Sequence, residues 1–137
     1  MLNITDLLKT VKEKDASDLH ITVGVPPKCR IIGKLHNMGE YNLMPEDTKA
    51  LIRPMLSEHF WEILNARGEV DFSYSVPSLG RFRVNIFKQR GSFAAAIRVV
   101  GTRIPSPEEL GIQDSVMELT RKKKGLVLVT GPTGSGK

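Results

Sequence analysis

The sequence is poor in cysteine and in aromatic residues, and it contains no long apolar run. Its 137 residues include one cysteine, Cys29, which rules out an internal disulfide framework and suits a reducing compartment such as the cytoplasm. No apolar run approaches the length of a membrane span, and the first residues lack the basic start and apolar middle of a secretory signal, so we expect neither feature. No internal repeat or low-complexity segment is present.

The charge of the chain permits an anionic partner without naming one. The formal net charge is +5, which fits nucleic acid, an acidic membrane surface or nucleotide phosphates equally well. The basic run 121–124 is typical of a solvated helix end that complements the helix dipole. No aromatic residue interleaves with that run, so we expect no nucleic-acid partner.

Residues 1–100 combine helical and strand patterns. Period-two alternation indicates strands, and apolar residues at spacings of three and four indicate helices. Pro45 suits a first helical turn, Ser57 an N-cap, and Gly68 a helix end. The predicted strands are 18–23, 28–35 (with Gly33-Lys34 as a turn), 69–76, 81–89 and 93–100, and the predicted helices are 4–14, 45–53 and 58–66. Together they predict an α+β domain built on an antiparallel sheet with packed helices.

A proline-rich break separates this domain from the rest of the chain. Ile104-Pro105-Ser106-Pro107 can continue neither a strand nor a helix, and it indicates a semi-rigid linker. We therefore predict a first domain at 1–100, a linker at 101–110 and the start of a second domain at 111–137. The second domain begins with a helix at 114–123, followed by the apolar run 125–130, which is typical of a buried parallel strand.

The last seven residues match the phosphate-binding pattern G-x-x-x-x-G-K, directly after that predicted strand. The glycines let successive backbone N–H groups point into one concavity, and the lysine reaches the outer phosphates. The residues predicted to bind nucleotide are Gly131, Thr133, Gly134, Ser135, Gly136 and Lys137. A chance glycine-rich turn is the alternative, and the preceding strand pattern argues against it.

The residues that complete such a nucleotide site normally come after the lysine. A hydroxyl residue that holds Mg²⁺, an acidic metal ligand and a water-positioning residue are all expected there. We therefore expect the chain to be a fragment that ends inside an ATPase domain, with its Mg²⁺ ligands beyond it. Such a fragment would bind nucleotide poorly and hydrolyse none.

A second candidate site is a face of arginines on the strand 81–89. Period two places Phe82 and Val84 in the core and Arg81 and Arg83 on the opposite face, which Arg98 can reach from the paired strand. Clustered guanidinium groups suit a triphosphate or the charge that develops during its cleavage. The alternative is an ordinary cross-strand ion pair, in which Arg83 or Arg81 meets Asp71 or Glu69. Strand spacing alone leaves both interpretations open.

The spacing of the three histidines does not indicate a metal site. His20 lies on the polar face of its strand, where a hydrogen-bonded surface histidine is the usual case. His36 and His59 have no partner at metal-ligand spacing.

Taken in order, the motifs of the chain resemble those of the PilT-type twitching-motility ATPases, in the type II/type IV secretion ATPase superfamily. The resemblance covers essentially the whole chain. It is carried by Ala16-Ser17-Asp18-Leu19-His20-Ile21-Thr22, Gly24, Pro26-Pro27, Arg30, Gly33, Asp71-Phe72-Ser73-Tyr74, Arg81-Phe82-Arg83-Val84-Asn85, Gln89-Arg90-Gly91, Ile104-Pro105, Glu109-Leu110-Gly111 and the stretch from Gly125 to Lys137.

The resemblance implies a fold and a function. It implies a PAS-like N-terminal domain, a linker and the opening helix, strand and phosphate loop of a RecA-like α/β ATPase domain. It implies a cytoplasmic homo-hexamer at the inner face of the cytoplasmic membrane, which uses ATP and Mg²⁺ to retract a type IV pilus and meets a platform protein at the pilus base. In that family, N-terminal-domain arginines that match Arg81, Arg83 and Arg98 approach the phosphates of ATP and serve catalysis.

Other functions remain open on the sequence alone. A pilus-extension or secretion ATPase of the same superfamily is the nearest alternative. We nevertheless expect the retraction type, because its members begin, as this sequence does, directly at the PAS-like unit, and because the stretch after Ser17-Asp18 resembles theirs. A nucleic-acid-dependent transfer motor would show salt-sensitive DNA binding, and a ligand-binding sensor would need an apolar pocket with a few convergent polar groups.

Overall fold

The structure, a computed structural model, describes residues 2–101 and 103–131. It divides into two compact units, unit 1 (residues 1–102) and unit 2 (residues 103–137). The predicted domain limits, 1–100, 101–110 and 111–137, stay a prediction, because compactness alone does not assign the identity of a domain.

Unit 1 holds all six strands and three of the four helices found in the described residues. In chain order they are α1 Ile4–Glu13, β1 Asp18–Ile21, β2 Lys28–Ile31, β3 Lys34–Asn37, α2 Pro45–Ile52, α3 Glu58–Arg67, β4 Glu69–Val76, β5 Gly80–Gln89 and β6 Ser92–Val100.

Local sequence signals set the limits of the helices in unit 1. The Asn3 side chain accepts a hydrogen bond from the Thr5 backbone N–H at 2.8 Å and caps α1. The Ser57 hydroxyl accepts one from the Phe60 N–H at 3.3 Å, and Gly68 ends α3 at φ 82°. Pro45 opens α2, which gives way to a single 3₁₀ turn, Arg53–Met55, at Pro54. The limits predicted for these helices are confirmed to within about two residues.

The six strands form one antiparallel sheet in the order β3-β2-β1-β6-β5-β4. Helix α1 contacts β1, α2 contacts β6, and α3 contacts β4 and β5. Their apolar side chains join those of one sheet face in a single buried cluster, whose fully enclosed members include Leu8, Leu19, Phe82, Val84 and Cys29. The predicted α+β class and antiparallel sheet are confirmed.

The region 28–37 differs in detail from the expectation. The single strand predicted at 28–35 is a hairpin of β2 and β3, with Ile31 paired to Lys34. Its two-residue turn is Ile32-Gly33, with φ values of 46° and 77°, rather than Gly33-Lys34. Two consecutive positive φ values define a type I′ turn, which reverses the chain directly. The strand pattern did not reveal this turn, because it places a positive φ at Ile32, and isoleucine rarely adopts one.

Unit 2 contains one helix in its described residues, α4 Asp114–Leu119, which is shorter than the predicted 114–123. The strand predicted at 125–130 is not a strand in the structure, and Leu126 and Leu128 are 82% and 75% exposed. A parallel strand needs hydrogen-bonding neighbours, and residues 103–131 supply no second strand. Separately, none of the described helices is both long and apolar enough to cross a membrane.

Candidate functional site

The sheet face opposite the core carries a row of charged side chains across four neighbouring strands. We call Arg30 on β2, Asp18 on β1, Arg98 on β6 and Arg83 on β5 the arginine row. Asp18 is the register partner of both Arg30 and Arg98, and Arg98 is the register partner of Arg83. Strand pairing thus brings together residues separated by up to 80 positions in the chain.

Side-chain alternation explains why the arginines share this face. On β5, Phe82 and Val84 are fully buried, so Arg81 and Arg83 point away from the core. On β6, Ile97 is buried and Arg98 is exposed. Arg81 is displaced by two residues from the row, and its Nη2 lies 3.4 Å from the Ser73 hydroxyl. The structure places Arg81, Arg83 and Arg98 on one face, and their catalytic role stays a prediction.

Arg83 makes a two-point ion pair with Asp71 on β4. Its Nε donates to Oδ1 at 3.2 Å and its Nη2 to Oδ2 at 3.1 Å. The Arg83 side chain is 68% exposed, and the carboxylate raises the pKa of its guanidinium. This is the cross-strand pair that the sequence offered as the alternative explanation for Arg83, so it must be weighed in any functional account of that residue.

Asp18 is the most enclosed charged group of the row, with a side chain that is 13% exposed. Its Oδ1 accepts from Arg98 Nε at 3.0 Å, and its Oδ2 accepts from the Ser17 hydroxyl at 2.8 Å and lies 3.4 Å from Arg30 Nε. Burial alone would raise the pKa of the Asp18 carboxyl. The hydrogen bonds from Ser17 and Arg98, with the positive charge of Arg98, outweigh it and lower the pKa.

His20 lies two residues along β1 on the same face. Burial lowers the pKa of its imidazole, and the positive charges of Arg30 and Arg98 lower it further, against an opposite effect of Asp18. Its Nε2 is buried, and no hydrogen-bond partner for it is present in the described part of the chain. His20 thus lies on the polar face of its strand as expected, but it is half-buried, and its Nε2 lacks the hydrogen bond expected of a surface histidine.

Part of this sheet face forms a depression with a volume of about 170 Å³. Its polar lining consists of Asp18, His20, Asp71, Arg83, Asn85 and Arg98. A small anion can accept hydrogen bonds from guanidinium N–H groups here, but it must compete with the carboxylates of Asp18 and Asp71.

The phosphate-loop prediction lies almost wholly outside the described residues. Gly131 is described and exposed, whereas Thr133, Gly134, Ser135, Gly136 and Lys137 lie outside the described residues. Across 2–101 and 103–131, no group of three or more histidine, cysteine or acidic side chains could hold a metal ion. No described residue is therefore assigned to Mg²⁺.

Sequence reasoning did not place Asp18 and Arg30 in the site. Asp18 lies two residues before His20 and therefore shares its predicted polar face, which is the available signal in the sequence. Its contact with Arg98 depends on β1 pairing with β6, and no local pattern predicts which strands become neighbours in a sheet.

No family model matches the chain, but curated relatives match it along its length. It is 37% identical over 136 residues to the type IV pilus retraction ATPase PilT of Pseudomonas aeruginosa, covering 99% of this chain and 40% of that protein. It is 36% identical over 131 residues to the type IV pilus ATPase PilU of the same organism, covering 96% of this chain and 34% of that protein.

A solved structure also matches the chain. The crystal structure of the pilus retraction motor PilT with bound ADP superposes with a TM-score of 0.84 at 47% identity, over 100% of this chain and 40% of that one. The chain is homologous to the PilT-type ATPases. The family resemblance drawn from the motifs is therefore confirmed.

The match to the PilT-type proteins covers only part of them. The chain spans about two fifths of the length of the curated PilT relative. The six-stranded sheet and the helices of unit 1 match the N-terminal domain of these ATPases.

Proposed function

We propose that this chain is the N-terminal part of an ATPase that drives type IV pilus retraction. The observation that carries the proposal is the match along the whole chain to PilT, in sequence and in fold. The phosphate-loop pattern at 131–137 and the arginine row supply the chemistry that such a motor needs.

In this proposal, the phosphate loop and the arginines each act on phosphate groups of ATP. The N–H groups of the loop and Lys137 hold the phosphates of ATP, while Arg81, Arg83 and Arg98 stabilise the negative charge that develops when the outer phosphate is transferred to water. Guanidinium groups suit this role because they stay charged and offer two parallel N–H donors. The ADP named with the PilT structure supports a nucleotide as the ligand.

The finer features of the motor belong to the same proposal. They are a cytoplasmic homo-hexamer at the inner face of the membrane, a platform protein at the pilus base, and Mg²⁺ bound together with ATP. A ring of identical subunits uses heterologous contacts, in which different surfaces of neighbouring copies meet. Mg²⁺ would neutralise phosphate charge, and we assign it no ligand in this chain.

A second candidate is an accessory pilus ATPase. It is favoured by the match to PilU, which at 36% identity is almost as high as the match to PilT. A secretion or pilus-assembly ATPase of the same superfamily is the coarser form of this candidate.

A chimera tests the proposal directly. This chain replaces the matching first two fifths of P. aeruginosa PilT, and the chimera is expressed in strains that lack PilT or PilU. We expect ATP hydrolysis in vitro and restored twitching in the strain without PilT. Lys137→Ala in the chimera should lower the hydrolysis rate by at least about a hundredfold, because the charge on the outer phosphates loses its main fixed cation. Restored function only in the strain without PilU would favour the second candidate.

The arginines are tested in the same chimera. We expect Arg83→Ala and Arg98→Ala each to lower kcat at least about tenfold, since each removes a donor that acts on developing charge. Arg67→Ala is the matched control, because Arg67 is an exposed arginine in the last turn of α3 and lies outside the row. If kcat were unchanged in both Arg83→Ala and Arg98→Ala, the catalytic role would be contradicted. The two arginines would then serve only to form ion pairs with Asp71 and Asp18.

A further inference from the structure

Asp71 and Asp18, the two carboxylates bonded to Arg83 and Arg98, hold these arginines in different ways. Asp71 takes both the Nε and the Nη2 of Arg83. Of the guanidinium donors of Arg98, only the Nε–H bonds to Asp18. Among the described residues, no hydrogen bond reaches either Nη atom of Arg98, whose side chain is 71% exposed. Arg98 is thus anchored at its inner nitrogen, while its outer pair of donors faces solvent.

Asp18 is itself fixed from three directions. The Ser17 hydroxyl donates to Oδ2, and Arg30 lies on the side opposite Arg98. Arg30 is held in turn, because its Nη1 donates to the Gly33 carbonyl oxygen at 3.1 Å. A carboxylate with so little freedom gives the arginine bonded to it a defined direction. It thereby spares a ligand much of the entropy of ordering a long side chain.

We propose that Asp18 is a positioning residue that orients Arg98 so that its two Nη groups meet a phosphate. The inference rests on the proposed function of the arginine row and adds to it the group that prepares Arg98. Asp18 touches no phosphate, since a carboxylate repels one. It acts through Arg98, and the Ser17 hydroxyl and Arg30 keep it in place.

Two isosteric substitutions separate positioning from charge. Asp18→Asn and Asp71→Asn each remove one negative charge from the same sheet face. If these carboxylates only repelled anions, both substitutions would strengthen anion binding to a similar extent. Positioning predicts opposite signs. Asp71→Asn breaks the two-point pair and frees a donor of Arg83, whereas Asp18→Asn replaces the charge-assisted bond that anchors Arg98 with a weaker bond to a neutral amide oxygen.

The measurement is titration of the 137-residue chain with tripolyphosphate, followed through the Nε–H resonances of its arginines by NMR. We expect Asp71→Asn to tighten binding about threefold, and Asp18→Asn to weaken it about threefold. The Nε–H signal of Arg98 should lose its separate position in Asp18→Asn and keep it in Asp71→Asn. Asp18→Glu, which keeps the charge, should restore part of the affinity.

Two further variants keep the test decisive. Arg98→Lys retains the charge but has no paired donors, and it should weaken binding even if Asp18→Asn does not fold. If Arg98→Ala and Arg98→Lys both leave the affinity for tripolyphosphate unchanged, Arg98 does not bind phosphate. That result would also contradict the part of the proposed function that depends on Arg98. If they weaken binding while Asp18→Asn tightens it as Asp71→Asn does, only the positioning role of Asp18 is overturned.

Discussion

His20 and Asp18, neighbours on one face of β1, respond to acid in different pH ranges. The pKa of His20 is lowered in the folded chain by burial and by the positive charges of Arg30 and Arg98. The unfolded chain therefore binds a proton at His20 near its ordinary pKa of about 6.5, while the folded chain resists it. The pKa of Asp18 is also lowered, so its contribution is present above about pH 4 and is lost as the pH falls further.

We predict that the free energy of unfolding falls between about pH 7.5 and about pH 5.5, and that His20→Gln removes part of this fall. The contribution of His20 to the free energy of unfolding is fully present above the pKa that His20 has in the unfolded chain. It is lost as the pH falls below that value. Denaturant unfolding at a series of pH values measures the effect. His36→Gln is the control, because His36 is exposed on β3. Equal pH slopes for the His20→Gln variant and the parent chain would contradict the prediction.

At the residue scale, the sequence predicts which face a side chain occupies better than which residues it meets. Strand alternation correctly placed Arg81 and Arg83 on the polar face and Phe82 in the core. The pairing of Arg83 with Asp71 was one of two alternatives that spacing alone left open. The contacts of Asp18 and the enclosure of His20 depend on strand order, which is decided by the packing of the whole sheet.

At the scale of elements, two hairpins have the same type of turn, but their first turn residues differ in how well they tolerate a positive φ. Ile32-Gly33 joins β2 to β3, and Arg90-Gly91 joins β5 to β6 with φ values of 50° and 80°. Type I′ turns favour asparagine or glycine at the first position. Ile32 is β-branched, adopts φ 46° and is 98% exposed, so it bears backbone strain without burying its side chain.

We predict that Ile32→Asn stabilises the chain by about 1 kcal/mol, because asparagine tolerates this conformation and no buried contact is lost. Thermal or urea denaturation measures it. Arg90→Asn at the matching position should gain less, since arginine is not β-branched. A loss of stability in Ile32→Asn would show that the isoleucine makes a contact worth more than the strain.

The same scale shows where local signals fail. Capping residues and prolines set the ends of α1, α2 and α3 close to their predicted places because these signals act within a few residues. The apolar run 125–130 has the composition of a buried strand, yet Leu126 and Leu128 are exposed in the structure. A strand is defined by the strands that pair with it, and the described residues 103–131 contain no second strand for this run to pair with.

At the scale of the whole molecule, the buried apolar core belongs to unit 1. Every member of the core cluster lies between Ile4 and Ile97. In unit 2, the described residues 103–131 contain none that is fully buried. The stability of the chain should therefore reside in unit 1.

We predict that a chain ending at residue 102 unfolds with a midpoint within about 2 °C of the full 137-residue chain. Differential scanning calorimetry measures it, and both chains should show one transition of similar enthalpy. Leu8→Ala in either background is the positive control, because it empties a fully buried position and should cost about 3 kcal/mol. A large drop on shortening would show that residues 103–137 add to the folded core.

The complete burial of Cys29 gives the molecule a built-in reporter. Its thiol, the only one in the chain, lies on the core side of β2, next to the sheet-edge strand β3. An alkylating reagent can reach this sulfur only while that part of the sheet is open, so the labelling rate measures how often the sheet opens there. The same enclosure keeps the chain from cross-linking to other thiols as long as it remains folded.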